Sequence, residues 1–158
     1  MNFQQMLKSV LLVFSTVIMC NSVTANDLKI GLVQINQQAL FFTQMNKGAK
    51  TAAEASGVDL YIFNANNDPN KQADAIETYI AEGVDGLIVV AIDVNGVMPS
   101  VMDANSAGIP VIAVDAVLPD GPQIAQVGVD NILSGQLMAD HLIKQIDSKG
   151  LENIQIGV

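Results

Sequence analysis

The sequence predicts an α/β fold: a doubly wound parallel sheet with helices on both faces. Three observations predict it. From residue 28 onward, short apolar runs alternate with longer segments that carry apolar residues at helical spacing. The connections between them are short. One run, GLIVVA at residues 86–91, is apolar throughout, as a strand covered on both faces should be.

Each element follows from a local signal. Residues 28–34 (LKIGLVQ) read as the first strand. Residues 42–56 then place Met45, Ala49, Ala52 and Ala53 on one helical face, with Gly57 as a C-terminal stop. Residues 58–64 (VDLYIFN) are the second strand. Asp68-Pro69 opens the second helix, because Asp can cap and Pro is shaped for the first turn. Ala73, Ile76, Ile80 and Gly83 mark its buried stripe. The third strand is 86–91, and Val97, Val101 and Ala104 line the helix after it, which Gly108 ends. Residues 110–115 (PVIAVD) and 124–129 (IAQVGV) are the fourth and fifth strands. A last helix, 131–148, points Met138, Leu142 and Ile146 inward. NIQIGV at 153–158 then reads as the opening strand of a further lobe, so residues 26–150 are expected to be the first lobe of a longer protein.

The N-terminus carries one cation, Lys8, then the uncharged run VLLVFSTVIM from residue 10 to 19 and the small residues of Val23-Thr24-Ala25. This is the pattern of a secretory signal peptide cut after Ala25, and ten apolar residues are too few to span a bilayer as a helix. Cleavage there removes Cys20, the one cysteine, so the mature chain has no thiol, disulfide or Cys-based zinc chemistry. The one histidine, His141, falls in the middle of the last helix, away from the strand ends. The net charge is −9 and none of the seven cations is an arginine. Nucleic acid is therefore a poor partner, since its affinity comes from neutralising phosphates. No G-x-G-x-x-G, phosphate loop or G-x-S-x-G elbow is present. No enzyme, cofactor or metal is expected.

Ligands of wound parallel sheets bind beyond the C-terminal ends of the strands. Those ends gather Asn36, Gln38, Phe41 and Phe42 after the first strand and Asn64–Asn67 after the second. Asp93 follows the third, Asp115 the fourth and Asp130 the fifth. Carboxylates and amides suit hydroxyl groups, and aromatic faces suit the C–H faces of a sugar ring. Several of these residues have plainer readings. Asp68, Asp93 and Asp130 can cap helices or loops, and the asparagines can make turns. Asp115 ends a strand with no helix nearby to cap.

The chain resembles the sugar-binding periplasmic proteins of ABC importers, in particular the ribose-binding type. The likeness rests on Phe41-Phe42, the NNDPNKQ start of the second helix, GVDGLIVV, AGIPVIAVD and VGVDNILSG. It implies two α/β lobes that close on a ligand, with Phe41 and Phe42 sandwiching the sugar ring and Asp115 accepting from its hydroxyls. Asp130 and Asn131 would lie toward the hinge. It also implies a sugar or polyol ligand, a membrane permease or a chemoreceptor as partner, a monomer, and the periplasm. Two positions depart from the ribose type. Ala116 stands where an Arg is expected, and Val90 where an Asn is expected. Loss of a bidentate Arg costs about 2–3 kcal/mol toward a hydroxyl-rich ring, so ribose is not expected to be the best ligand. The alternatives are a ligand-sensing module of a receptor and an exported enzyme using Asp93, Asp115 and Asp130.

Overall fold

The computed structural model describes residues 28–150 and residue 155. The expected signal peptide at 1–25 and the expected strand at 153–158 lie outside the described residues, apart from Gln155. Five strands form one parallel sheet: β1 (Lys29–Gln34), β2 (Asp59–Asn64), β3 (Gly86–Val89), β4 (Val111–Val114) and β5 (Ala125–Val127), in the spatial order β2-β1-β3-β4-β5. Four helices connect and follow them: α1 (Leu40–Ser56), α2 (Pro69–Glu82), α3 (Met98–Ser106) and α4 (Asn131–Ser148). The doubly wound parallel sheet expected from the sequence is present.

The order reverses at β1. The chain goes out through α1 to β2 on one side, then returns through α2 past β1 to β3 on the other. Right-handed crossovers in opposite directions place their helices on opposite faces. The register fixes which residues meet each layer, with Gly31 beside both Tyr61 and Leu87, and Leu32 beside Ile62 and Ile88. Val33, Leu87, Val89, Val111 and Ala113 pack with Ile76 and Tyr79 of α2 and Val101 and Ala104 of α3 into the main core. Gly31 makes room for the Tyr79 ring, because a Cβ there would lie 2.5 Å from Tyr79 Cδ2. Burial, with Glu82 adding, raises the pKa of the Tyr79 hydroxyl.

The caps formed as their residue types suggest. Asp68 accepts from the N–H groups of Asn70 and Lys71. Gly57 and Gly83 close α1 and α2 in the left-handed conformation, at φ 64° and 67°. Gly83 is therefore a terminator and not part of a buried stripe. Of the α2 stripe, Ile76 is buried and Ala73 and Ile80 are half-buried, and Gln72, Ala75 and Tyr79 complete the inward face. On α1, Met45, Ala49 and Ala53 are half-buried, Ala52 is exposed, and Asn46 is the buried residue.

Two expectations need correction. α1 begins at Leu40, two residues earlier than expected, so Phe41 joins Phe42 in its first turn. The last helix does not turn Met138 and Leu142 inward. No residue of α4 is buried, and Met138 is 72% exposed. A helical apolar stripe shows that a face is suited to burial, but not what buries it. The outer part of the second sheet face is also open, where Ile30, Ile88, Ile112 and Ile124 line an apolar hollow of about 230 Å³. Among the described residues no helix is long and apolar enough to cross a membrane.

Candidate functional site

All five strands run the same way, so their C-terminal ends share one edge. The strand order reverses there, between β1 and its neighbours, which opens a crevice between the loop after β1 and the loop after β3. The geometry of that edge is built from side chains that tie loops together.

The loop after β1 is fixed first by Gln34, which is fully buried. Its Oε1 accepts from the N–H of Ile35 and its Nε2 donates to Asn46 Oδ1 on α1, both at 3.0 Å. Asn36 turns the chain into α1, its Oδ1 accepting from the N–H groups of Gln38 and Ala39, each at 3.1 Å. Its Nδ2 donates to Asn67 Oδ1 at 3.0 Å, and Gln38 Nε2 donates to Asn66 Oδ1 at 3.3 Å. The first two loops are thus stitched together by amides. Asn66 and Asn67 are both left-handed, at φ 53° and 61°, a conformation Asn tolerates through local hydrogen bonding. Asn36 and Gln38 spend much of their bonding capacity inside the protein.

Phe41 and Phe42 meet edge to face, with ring centroids 5.2 Å apart and planes at 75°. This pair leaves no parallel slot, so the expected sandwich of a ring between them is not formed in this structure. Phe42 is half-buried, and Phe41 is 55% exposed and free to offer a face.

Asp93 closes a turn after β3. Its Oδ1 accepts from the N–H groups of Asn95 and Gly96, each at 3.0 Å, and these two bonds hold its pKa below the usual carboxylate value. Gly96 is needed there, since a Cβ would stand 2.8 Å from Asp93 Oδ2. Asp130 is the N-cap of α4, its Oδ1 accepting from Leu133 N–H at 2.8 Å. Asp93 and Asp130 therefore have the capping roles their positions allow, each through one carboxylate oxygen.

Asp115 is different. Its backbone lies in the left-handed region at φ 69°, and its N–H donates to Val127 at 2.8 Å. Its side chain is exposed and makes no hydrogen bond among the described residues. Of the two departures noted above, Ala116 beside it is half-buried, whereas Val90 is fully buried and offers a ligand nothing. The structure joins Asn36 and Gln38 to the asparagines after β2. It records no contact among Asp93, Asp115 and Asp130, and among the described residues no three His, Cys, Asp or Glu side chains gather to hold a metal.

Sequence reasoning missed Gln34, Asn46 and Gln72, the buried polar residues that shape this edge. The signal was available: each is a polar residue at an inward position of its strand or helix period. A second hollow, of about 480 Å³, starts at Gln37 in the loop after β1 and runs along α1 past Thr43, Asn46, Lys47, Lys50, Thr51 and Glu54.

Comparison with known proteins bears on the fold and the family. The xylitol-binding protein of Mycolicibacterium smegmatis is 35% identical over 114 residues, which is 70% of this chain and 33% of that protein. The ribose import binding protein of Bacillus subtilis is 31% identical over 119 residues, 75% of this chain and 39% of that protein. The crystal structure of a galactofuranose binding protein superposes with a TM-score of 0.70 at 28% identity, over 76% of this chain and 42% of that one. The chain thus spans two fifths or less of the length of these two curated relatives. The family model for the periplasmic binding protein domain matches residues 30–158. With the ribose-type topology and this match over most of its length, the chain belongs to the periplasmic binding protein domain family.

Proposed function

We propose that the chain is the first lobe of an exported solute-binding protein that takes a sugar or related polyol at its C-terminal strand edge. It performs no chemistry. It would hold the ligand between two lobes in the periplasm and deliver it to the membrane permease of an ABC importer. The observation that carries this reading is Asp115. A carboxylate is kept in a left-handed backbone position, exposed and without a hydrogen-bond partner among the described residues, at the edge where a wound sheet binds ligands. Such a residue contributes nothing visible to the fold, and a carboxylate is a strong acceptor for ligand hydroxyls. Phe41 supplies an exposed apolar face on the same edge. The second carboxylate oxygens of Asp93 and Asp130 and the amides of Asn36 and Gln38 would supply further polar groups. Relatives named for xylitol, ribose and galactofuranose support a polyhydroxylated ligand.

Ala116 separates the chain from an Arg-bearing pocket, so ribose is expected to bind more weakly than a ligand that does not need that cation. The test is a thermal-shift panel on the gene product at its natural length, with D-ribose, xylitol, D-allose and myo-inositol as probes. A bound ligand raises the midpoint by mass action. Stabilisation by at least one probe other than ribose, larger than by ribose, supports the reading. No shift with any probe at millimolar concentration would contradict it.

A further inference from the structure

Gln72 lies near the start of α2 and is 1% exposed. Its Nε2 donates to the carbonyl of Val90 at 2.8 Å, and its Oε1 accepts from the N–H of Ile92 at 2.9 Å. These two backbone groups flank Ala91. In a parallel ladder, a residue donates to the carbonyl before the residue opposite it and accepts from the N–H after it. The side-chain amide of Gln72 reproduces that pattern opposite Ala91.

The strands themselves have run out at this point. β3 is paired with β1 and β4 only as far as Val89, with one further bond from Val90 N–H to Val33 at 3.0 Å. Val90 and Ala91 are nonetheless buried, so their backbone needs partners. The next residue after the clamp is Asp93, whose turn forms the β3 side of the crevice.

We propose that Gln72 is a positioning residue for the ligand edge. Its amide extends the sheet by one residue and holds 90–92 extended, which sets where the Asp93 turn stands beside the ends of β1 and β4. Gln72 touches no ligand. The inference rests on the reading that this edge binds a sugar or polyol.

The test compares Gln72→Met, which keeps length and removes the amide, with Ile76→Val, a core change on the same helix. Gln72→Asn, an amide with shorter reach, serves as the second variant if the first does not fold. Amide hydrogen exchange at Ile92 and Leu87 is measured by NMR, and affinity for xylitol and D-allose is measured by titration of the protein at its natural length. The amide variants should speed exchange at Ile92 about ten-fold beyond any change at Leu87, the factor a net hydrogen bond supplies. They should also weaken ligand binding about ten-fold, whereas Ile76→Val leaves affinity unchanged. Exchange at Ile92 that tracks Leu87 would overturn the clamp. Affinity loss no greater than that of Ile76→Val would overturn the positioning role. If the wild-type protein binds neither probe, the sugar reading fails, and the exchange measurement still decides whether Gln72 holds the loop.

Discussion

Replacing Asp115 by Gly should make the protein more stable and unable to grip its ligand. A non-glycine residue in the left-handed region costs about 1–2 kcal/mol, somewhat less for Asp than for most. Asp115 sits there at φ 69°, and its carboxylate returns no hydrogen bond within the described residues. Gly removes the strain and adds about 0.4–1 kcal/mol of unfolded-chain entropy cost. The net gain for Asp115→Gly is therefore about 0.5–1 kcal/mol, or about 1–4 °C in Tm for a chain of this size. Asp115→Ala loses the same carboxylate but keeps the left-handed backbone, and should cost about 0.5–1 kcal/mol. Urea denaturation of the three proteins gives the order Gly, wild type, Ala, while ligand titration gives loss of binding in both variants. A destabilised Asp115→Gly protein, or one that still binds like wild type, would refute the reasoning. The first result would mean the carboxylate serves the fold, and the second that it serves nothing at this edge.

Gly31→Ala should destabilise by about 1–3 kcal/mol through overpacking, since its Cβ meets Tyr79 at 2.5 Å and Leu87 at 2.9 Å. The same change in a Tyr79→Leu background should cost less, which denaturant midpoints of the double-mutant cycle would show. Asp68→Ala removes a cap that serves two N–H groups of α2 and should cost about 0.5–2 kcal/mol by the same assay. Asp93 has its folded pKa lowered by its bonds from Gly96 and Asn95. Its charge therefore contributes stability at pH values above its unfolded pKa of about 3.9, and that contribution is lost as pH falls through the lower, folded value. Asp93→Asn should be less stable than wild type at pH 7, with the gap closing in acid; a gap constant with pH would contradict this assignment.

Much of the fold was legible because local rules agree with one another. Asp68-Pro69 starts a helix, Gly57 stops one, and alternation of strand and helix periods leaves few topologies. The edges of elements were less legible. β3 stops at Val89 although the apolar run continues to Ala91, because its ladder pairing with β1 and β4 ends there and an apolar run does not show where pairing stops. α1 reaches back to Leu40 and takes in Phe41, with Asn36 accepting from the N–H groups of Gln38 and Ala39 in the turn before it. The polar architecture of the edge was the least legible part. Gln72 finds Val90 and Ile92 18 and 20 residues away, and Asn36 finds Asn67 31 residues away. Such pairings depend on the assembled sheet, and a single sequence shows only that a polar residue occupies an inward position.

The central claim is that the C-terminal edge of the sheet, and not another surface, receives a hydroxyl-rich ligand. Residue-resolved NMR of the labelled protein, titrated with the strongest ligand of the thermal-shift panel, tests it most directly. The largest shifts should fall at residues 36–42, 93–96 and 115–116, and Asp115→Gly should abolish them. Shifts centred instead on residues 47–54 of α1, or on the open sheet face at Ile88 and Ile112, would contradict it.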